Sequence, residues 1–258
     1  MSRFRIRIEY DGSRYHGWQQ NAGVKTIQRE LISACEQLFH TKKIELYGAG
    51  RTDTGVHALG MVAHLDVPTQ MHPENITTRL NDLLPYDINI LSTKRCDATF
   101  HARHSAVARS YVYVISRRRS AFGKRYLWWV KEPLSVGKMR EAAGILKGFH
   151  DFSSFGATSP EEKSTQVNLS HLAVEEQGDL ITIHLVGSHF LWMMVRRLTG
   201  VLVHAGKGKL SVKEIRSFID TKSERPAQLA APPSGLYLER VYYPGEPIEY
   251  FPKVPIVL

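Results

Sequence analysis

The chain has 258 residues, of which 43% are hydrophobic, and a formal net charge of +9 from 34 Lys and Arg against 25 Asp and Glu. This length suits one large domain or two modest ones. No stretch approaches the roughly 18 to 20 apolar residues that a membrane span requires, and the charged N-terminus does not resemble a signal peptide. The two cysteines, Cys35 and Cys96, lie outside any CxxC pattern, which argues against a disulfide framework or thiolate metal site. We expect a cytoplasmic protein without membrane association.

The basic excess favours a polyanionic partner. Basic residues cluster, and aromatic side chains interleave with one cluster. That region contains Arg103, Arg109, Arg117, Arg118, Arg119, Lys124 and Arg125, together with Tyr111, Tyr113, Phe122, Tyr126, Trp128 and Trp129. Cations for phosphates beside rings for bases are typical of RNA binding. A generically basic protein is the alternative that composition leaves open.

The first half of the chain predicts the element order β-α-β-β-α-β. Residues 4–10 alternate apolar and charged side chains, which indicates a half-exposed strand. Thr26 begins a helix with apolar residues every three or four positions, and a second helix ends before Pro85. Further strands are predicted at residues 44–47, 61–67 and 88–91. This is the split pattern of ferredoxin-like units.

The second half repeats this order. Strands are predicted at residues 111–115, 169–174, 180–185 and 236–242, with helices at 135–146 and 190–204. An extra helix begins at Ser211, where Ser211 and Glu214 form a capping box. We therefore predict an α+β fold of two ferredoxin-like halves, residues 1–99 and 100–258, packed together with an active-site cleft between them.

Chemistry-bearing residues concentrate in one segment, residues 48–58, between two predicted strands. Its glycines permit tight turns and close approach of the backbone to a ligand. Arg51, Thr52, Asp53 and Thr54 present a cation, two hydroxyls and a carboxylate together. The segment is neither a Walker loop nor a GxGxxG loop. From the residues alone, capping a turn is the commoner role for an Asp near Gly.

Residues 50–58, Gly-Arg-Thr-Asp-Thr-Gly-Val-His-Ala, resemble the signature of the tRNA pseudouridine synthase A family. Further blocks follow in the same order over nearly the whole chain. They are Tyr10-Asp11-Gly12, Gly17-Trp18-Gln19, Phe100-His101-Ala102-Arg103, Arg109-Ser110-Tyr111, His150-Asp151-Phe152, Phe190-Leu191, Met194-Val195-Arg196 and Pro232 to Leu238. The resemblance implies a homodimeric isomerase that converts uridine to pseudouridine at positions 38 to 40 of the tRNA anticodon stem-loop. It implies no metal and no organic cofactor.

The resemblance also assigns the site residues. Asp53 is the catalytic carboxylate, acting as nucleophile or as base towards a ribose proton; the sequence does not choose between these roles. Tyr111 is the active-site tyrosine, and Arg196 is the arginine that pairs with the carboxylate. Substrate contacts are expected from Arg51, which helps to extract the target base, and from Thr52, His57, Arg103 and Arg109, with Leu236 and Leu238 as apolar wall or core.

Three positions depart from the family pattern: Thr54 stands where alanine is usual, Gln166 where many members have arginine, and Ser234 where histidine is common. Because Asp53, Tyr111 and Arg196 are intact, these departures bear on RNA choice more than on chemistry. Two alternatives therefore stay open: a pseudouridine synthase of the same family acting on another RNA or site, and a catalytically silent RNA-binding protein.

Overall fold

A computed structural model describes residues 1–157, 164–248 and 250. The chain forms two compact units. The first comprises residues 1–107 and 237–246, and the second comprises residues 108–236 with the described residues beyond 246. Each unit combines a mainly antiparallel sheet with helices, which confirms the α+β class. In the described part of the chain, no helix is both long and apolar enough to cross a membrane.

The first unit contains β1 (Ser2–Tyr10), α1 (Ile27–Phe39), β2 (Glu45–Gly48), β3 (His57–Val67), α2 (Pro73–Leu83) and β4 (Ile88–Arg95). The strands lie in the order β4-β1-β3-β2, and all these neighbours are antiparallel. This is the ferredoxin-like order that the sequence pattern predicts. Tyr10, at the end of β1, pairs with Ala58 of β3 and Ile88 of β4. One edge of the sheet therefore gathers the end of β1 and the beginnings of β3 and β4.

The alternation in β1 determines which face of this sheet enters the core. Phe4, Ile6 and Ile8 are fully buried. The intervening arginines lie on the other face, where Arg3 donates two hydrogen bonds to the Asp66 carboxylate, at 2.8 and 2.5 Å. The predicted N-cap of α1 is confirmed, because the Thr26 hydroxyl accepts a hydrogen bond from the Arg29 backbone N–H at 3.4 Å.

The second unit contains β5 (Ala108–Ser116), β6 (Trp128–Trp129), α3 (Val136–Leu146), β7 (Gly148–Asp151), β8 (Gln166–Leu169), β9 (His171–Gln177), β10 (Leu180–Gly187), α4 (Met194–Gly206), α5 (Val212–Asp220) and α6 (Arg225–Gln228). Strand β10 pairs antiparallel with both β5 and β9, β6 pairs parallel with β5, and β7 pairs with β8 in a separate two-stranded sheet. The capping box of α5 is present as predicted.

Helix α4 begins four residues later than the sequence predicts. Met193, at its N-cap, adopts a left-handed backbone conformation with φ of 61°. The preceding Trp192 donates its backbone N–H to the Ala157 carbonyl at 3.1 Å, in an isolated bridge. Because residue 192 makes an extended pairing and residue 193 has positive φ, the helix cannot continue towards Phe190.

The last strand, β11 (Leu236–Tyr242), pairs parallel with β3 through Tyr237 opposite His57 and Leu238 opposite Ala58. Residues 237–246 therefore belong to the first compact unit, and so do residues 100–107. The sequence predicts two halves, residues 1–99 and 100–258, that repeat the same order of helices and strands. This division stays a prediction. The compact units in the structure are discontinuous in sequence.

Candidate active site

The Asp53 loop, residues 49–56, connects β2 to β3 in the first unit. It lies against the framing segment, residues 11–18, which follows β1. Two backbone hydrogen bonds join them: the Trp18 N–H donates to the Thr52 carbonyl at 3.1 Å, and the Gly55 N–H donates to the Tyr15 carbonyl at 3.3 Å. Within the loop, the Val56 N–H donates to the Asp53 carbonyl at 3.1 Å. The backbone on both sides of Asp53 is thus held by a second segment of chain.

Two glycines allow this close approach. A Cβ atom on Gly12 would lie 1.9 Å from the Val56 carbonyl oxygen, and one on Gly17 would lie 2.4 Å from the Thr52 carbonyl oxygen. Gly17 also has φ of +84°, a conformation that L side chains rarely adopt. Any larger residue at either position would push the framing segment away from the Asp53 loop.

The side chains of the loop divide into a buried and an accessible set. Thr52 is buried, and its hydroxyl lies 2.8 Å from the Tyr10 hydroxyl. Asp53 is half-buried, and Arg51 is exposed. The arrangement leaves a carboxylate and a cation accessible on a loop whose threonine is bonded inward. Thr52 therefore holds the loop against the sheet through its hydrogen bond with Tyr10.

His57 is buried at the start of β3. Its Nδ1 accepts a hydrogen bond from the Gly12 backbone N–H at 3.1 Å, and its ring stacks on Tyr237 with 4.7 Å between centroids. These contacts join the framing segment, β3 and β11 behind the loop. A direct contact between His57 and substrate stays a prediction.

In the second unit, Tyr111 lies on β5 opposite Leu185 of β10 and is half-buried. Its ring packs edge-to-face against Phe190, with 4.9 Å between centroids. On the same strand, Arg109 donates a hydrogen bond to the Ser188 carbonyl at 3.2 Å. The contact with Phe190 orients the tyrosine ring. The sequence predicted Phe190 as the start of a helix and as part of a block that resembles the family, but not as a neighbour of Tyr111.

Arg196 is half-buried on α4, where a peptide segment orients its guanidinium. Its Nε donates to the Ala231 carbonyl at 2.8 Å, and the Ala231 N–H donates to the Arg196 carbonyl at 2.9 Å. A Cβ on Gly200 would lie 1.7 Å from the Leu229 carbonyl oxygen, so a glycine is required for this close packing. The terminal nitrogens of Arg196 are thereby aimed by a hydrogen bond at Nε.

The remaining predicted site residues have simpler surroundings. Leu236 and Leu238 are buried apolar side chains. Arg103 is half-exposed, and its backbone N–H donates to His101 Nδ1 at 3.2 Å. His101 also packs against the rings of His64 and His104, with centroid distances of 4.7 and 4.3 Å. This packing agrees with a structural role for these histidines.

The run of arginines at residues 117–119 is largely neutralised within the second unit. Arg117 pairs with Glu176, and Arg118 lies 3.1 Å from the Asp179 carboxylate. Arg119 lies over the Trp129 ring at 5.7 Å. Because two of the three charges already have carboxylate partners on the β9–β10 hairpin, this run is a weaker candidate for phosphate binding than the sequence suggested.

Comparison with known proteins connects this arrangement to one family. A family model described as tRNA pseudouridine synthase matches residues 6–105 and 142–244. The chain is 38% identical over 240 residues to a tRNA pseudouridine synthase A of Thermoanaerobacter sp. (strain X514), covering 92% of this chain and 98% of that protein. It is 39% identical to one from Pseudomonas aeruginosa (95% and 87% covered) and 38% identical to one from Bartonella tribocorum (94% and 100% covered).

The chain therefore belongs to the tRNA pseudouridine synthase family. This membership confirms the predicted class of enzyme, an isomerase that converts uridine to pseudouridine in tRNA.

Proposed function

We propose that the chain modifies uridines of the tRNA anticodon stem-loop, at positions 38 to 40, in the cytoplasm and as a homodimer. The observation that carries the proposal is the Asp53 loop: a half-buried carboxylate beside an exposed arginine, on a backbone fixed by hydrogen bonds from residues 15–18. The residues matched by the family model include this loop, and tRNA is the substrate class that the relatives' names give.

The chemistry requires little beyond a carboxylate, a proton acceptor and a means of exposing the base. The glycosidic bond from C1′ to N1 breaks, the uracil turns over and C5 bonds to C1′. The proton on C5 is then lost to solvent and N1 takes up a proton, so that the product is an isomer of uridine. Asp53, ionised, either attacks the ribose or removes a ribose proton. Tyr111 stacks on the base and helps to remove the C5 proton, and Arg196 balances the charge of the carboxylate.

A uridine within a folded stem-loop must leave the stack before it can react. Arg51 is exposed beside Asp53, where a cation can bind the phosphate of an extruded nucleotide. Arg103 and Arg109 supply further cations, and Leu236 or Leu238 an apolar wall. Thr52 and His57 complete the proposed set of substrate-binding residues, and both also hold the backbone around Asp53.

Release of tritium from tRNA transcripts labelled at C5 of uridine tests the activity directly. The wild-type chain should release tritium, whereas Asp53→Asn should release none and still bind tRNA, because phosphate contacts carry most of the affinity. Turnover by Asp53→Asn at a rate near that of the wild type would overturn the assignment of Asp53.

Two further measurements decide the finer points. Mapping of pseudouridines in cells with and without the gene distinguishes positions 38 to 40 from another site or RNA. Light scattering should give twice the 29.3 kDa mass of the chain, and a mass of one chain would refute the homodimer.

A further inference from the structure

One exposed tyrosine lies at the same sheet edge as the Asp53 loop. Tyr86 lies in the turn between α2 and β4, and its exposed fraction is 86%. Because Tyr10 of β1 pairs with both Ala58 and Ile88, the turn at residues 84–87, the framing segment and the Asp53 loop leave the sheet at one edge. Tyr86 is therefore on the side of the first unit where chemistry is expected.

The Tyr86 ring is accompanied by a cation from the framing segment. Arg14 Nη1 donates to the Tyr86 hydroxyl at 2.6 Å, and the guanidinium lies 5.8 Å from the ring centroid. About half of the Arg14 side chain stays exposed (53%). In the described part of the chain this is the one hydrogen bond that its guanidinium donates, and Nη1 also lies 3.9 Å from the buried Asp87 carboxylate. The donors of the group that face solvent remain for a ligand.

The turn that carries Tyr86 is rigidly attached. The buried Tyr15 hydroxyl donates to the Asp87 carboxylate at 2.5 Å, and the Asp11 N–H donates to the Asp87 carbonyl at 2.9 Å. The Tyr15 carbonyl in turn accepts the Gly55 N–H of the Asp53 loop. Tyr15 thus connects the turn of Tyr86 to the Asp53 loop. Because this turn is fixed and Arg14 bonds the Tyr86 hydroxyl, the ring loses little conformational entropy when it binds a ligand.

The charge of this surface suits RNA. Residues 12–29 contain no acidic residue and carry Arg14, Lys25 and Arg29. Lys25 Nζ lies 4.8 Å from the Tyr15 ring centroid, next to the framing segment. The Asp87 carboxylate is buried; it accepts from Tyr15 and lies 3.9 Å from Arg14 Nη1, so it offsets part of that charge without itself facing a ligand. A solvent-facing ring beside a half-exposed guanidinium is the combination that binds single-stranded nucleotides.

We propose that Tyr86 and Arg14 form a contact for the RNA substrate beside the Asp53 loop, in which the ring stacks on a nucleobase and the guanidinium binds a phosphate. The inference rests on the proposed function for the identity of the RNA. It adds two residues that bind nucleotides flanking the uridine to be modified. Stacking on the ring is tolerant of base identity, so this contact contributes affinity more than sequence choice.

Titration of unmodified tRNA transcript against the protein, followed by fluorescence anisotropy at several salt concentrations, tests the proposal without requiring turnover. Tyr86→Ala should raise Kd about 5- to 150-fold, the range for loss of one base–aromatic stack. Tyr86→Phe keeps the ring and should recover most of the affinity. Arg14→Gln should weaken binding and reduce the slope of log affinity against log salt by about one.

Matched controls come from the same unit. Arg79→Gln removes an exposed arginine from α2, and Tyr47→Ala removes a half-exposed tyrosine from β2. Neither should change Kd more than about twofold, within the usual effect of a surface substitution. A Tyr86→Ala variant that binds tRNA as tightly as wild type would overturn the proposal; if its mass by light scattering also changed, the pair would instead contact a second copy of the chain.

The outcome separates this inference from the proposed function. A wild-type chain that binds tRNA but releases no tritium would refute the proposed function. The Kd values of the Tyr86 and Arg14 variants would still show whether these residues contact RNA. If the wild type is active and the variants bind tRNA with unchanged Kd, only the proposed contact would be refuted.

Discussion

The Tyr10 and Thr52 hydroxyls lie 2.8 Å apart in the interior of the first unit. Tyr10 ends β1, and Thr52 immediately precedes Asp53. This hydrogen bond therefore ties the backbone of the proposed catalytic residue to the central part of the sheet. It acts on the reaction through geometry, because neither hydroxyl needs to touch the substrate.

Thr52→Val keeps the side-chain shape and removes the hydroxyl. We expect a loss of about 1 to 3 kcal/mol in unfolding free energy, because the buried Tyr10 hydroxyl loses this partner. Turnover should fall about tenfold or more, since small displacements of a reacting group are costly. Urea unfolding and single-turnover kinetics measure the two effects. Thr54→Val, at the exposed neighbour, is the control; equal turnover in the two variants would contradict the role given to Thr52.

Gly17 and Gly23 form a matched pair for testing the contact between the framing segment and the Asp53 loop. Both have positive φ, +84° and +77°, but a Cβ on Gly23 meets nothing within 4 Å, whereas one on Gly17 meets the Thr52 carbonyl at 2.4 Å. Gly23→Ala should cost about 1 kcal/mol from backbone strain alone. Gly17→Ala should cost more than about 2 kcal/mol and abolish turnover. Similar unfolding midpoints for the two variants would show that the contact is unimportant.

Arg196 allows a distinction between charge and geometry. Its Nε is engaged by the Ala231 carbonyl at 2.8 Å, and lysine has no donor at that position. We therefore expect Arg196→Lys to remain nearly as inactive as Arg196→Ala in single-turnover assays, although it keeps the charge. Arg197→Lys, at the adjacent position on α4, serves as control. Recovery of most turnover by Arg196→Lys would mean that charge alone suffices.

Two buried histidines predict how stability depends on pH. Burial lowers the pKa of His64 to about 4, with the charges of His101 and Arg3 adding to the effect, and burial lowers the pKa of His184 to about 4. The unfolded chain binds protons on these residues below about pH 6.5, the ordinary histidine pKa, and the folded chain does not. Their contribution to stability is therefore present above pH 6.5 and is lost as pH falls towards 4.

Urea midpoints measured between pH 7 and pH 5 should decrease for wild type. His184→Gln removes one of the two groups and should flatten this decrease, whereas His72→Gln, at an exposed position, should follow the wild type. An unchanged pH dependence in His184→Gln would show that His184 is protonated equally in the folded and unfolded chain.

Elements whose signals are local could be predicted from the sequence. Thr26 and the Ser211–Glu214 box lie within three residues of the groups that they cap, so their identity alone indicates a helix start. The alternation of apolar and charged residues in β1 likewise indicates which face of the strand is buried. The Asp53 loop was found because its residue types are unusual and match a known signature.

Contacts between distant positions could not be predicted. Gly17 approaches Thr52, and Ala231 orients Arg196, across 35 positions in each case. Nothing near either residue in the sequence indicates its partner. The carboxylates that neutralise Arg117 and Arg118 lie on another hairpin, which is why a run of arginines suggested a phosphate track. The left-handed Met193 similarly has no sequence signal, since methionine rarely adopts positive φ.

The parallel pairing of β11 with β3 has a consequence for synthesis of the protein. The ring that stacks on His57 belongs to Tyr237, so the support behind the Asp53 loop is missing until the ribosome has translated nearly the whole chain. In a nascent or prematurely terminated chain ending before residue 236, the side of β3 that pairs with β11 at His57 and Ala58 has no partner, although Ala58 still pairs with Tyr10 on its other side. Such an open strand edge is prone to wrong associations. Such fragments should be inactive even though they contain Asp53, Tyr111 and Arg196, and quality-control proteases should recognise them through that open edge.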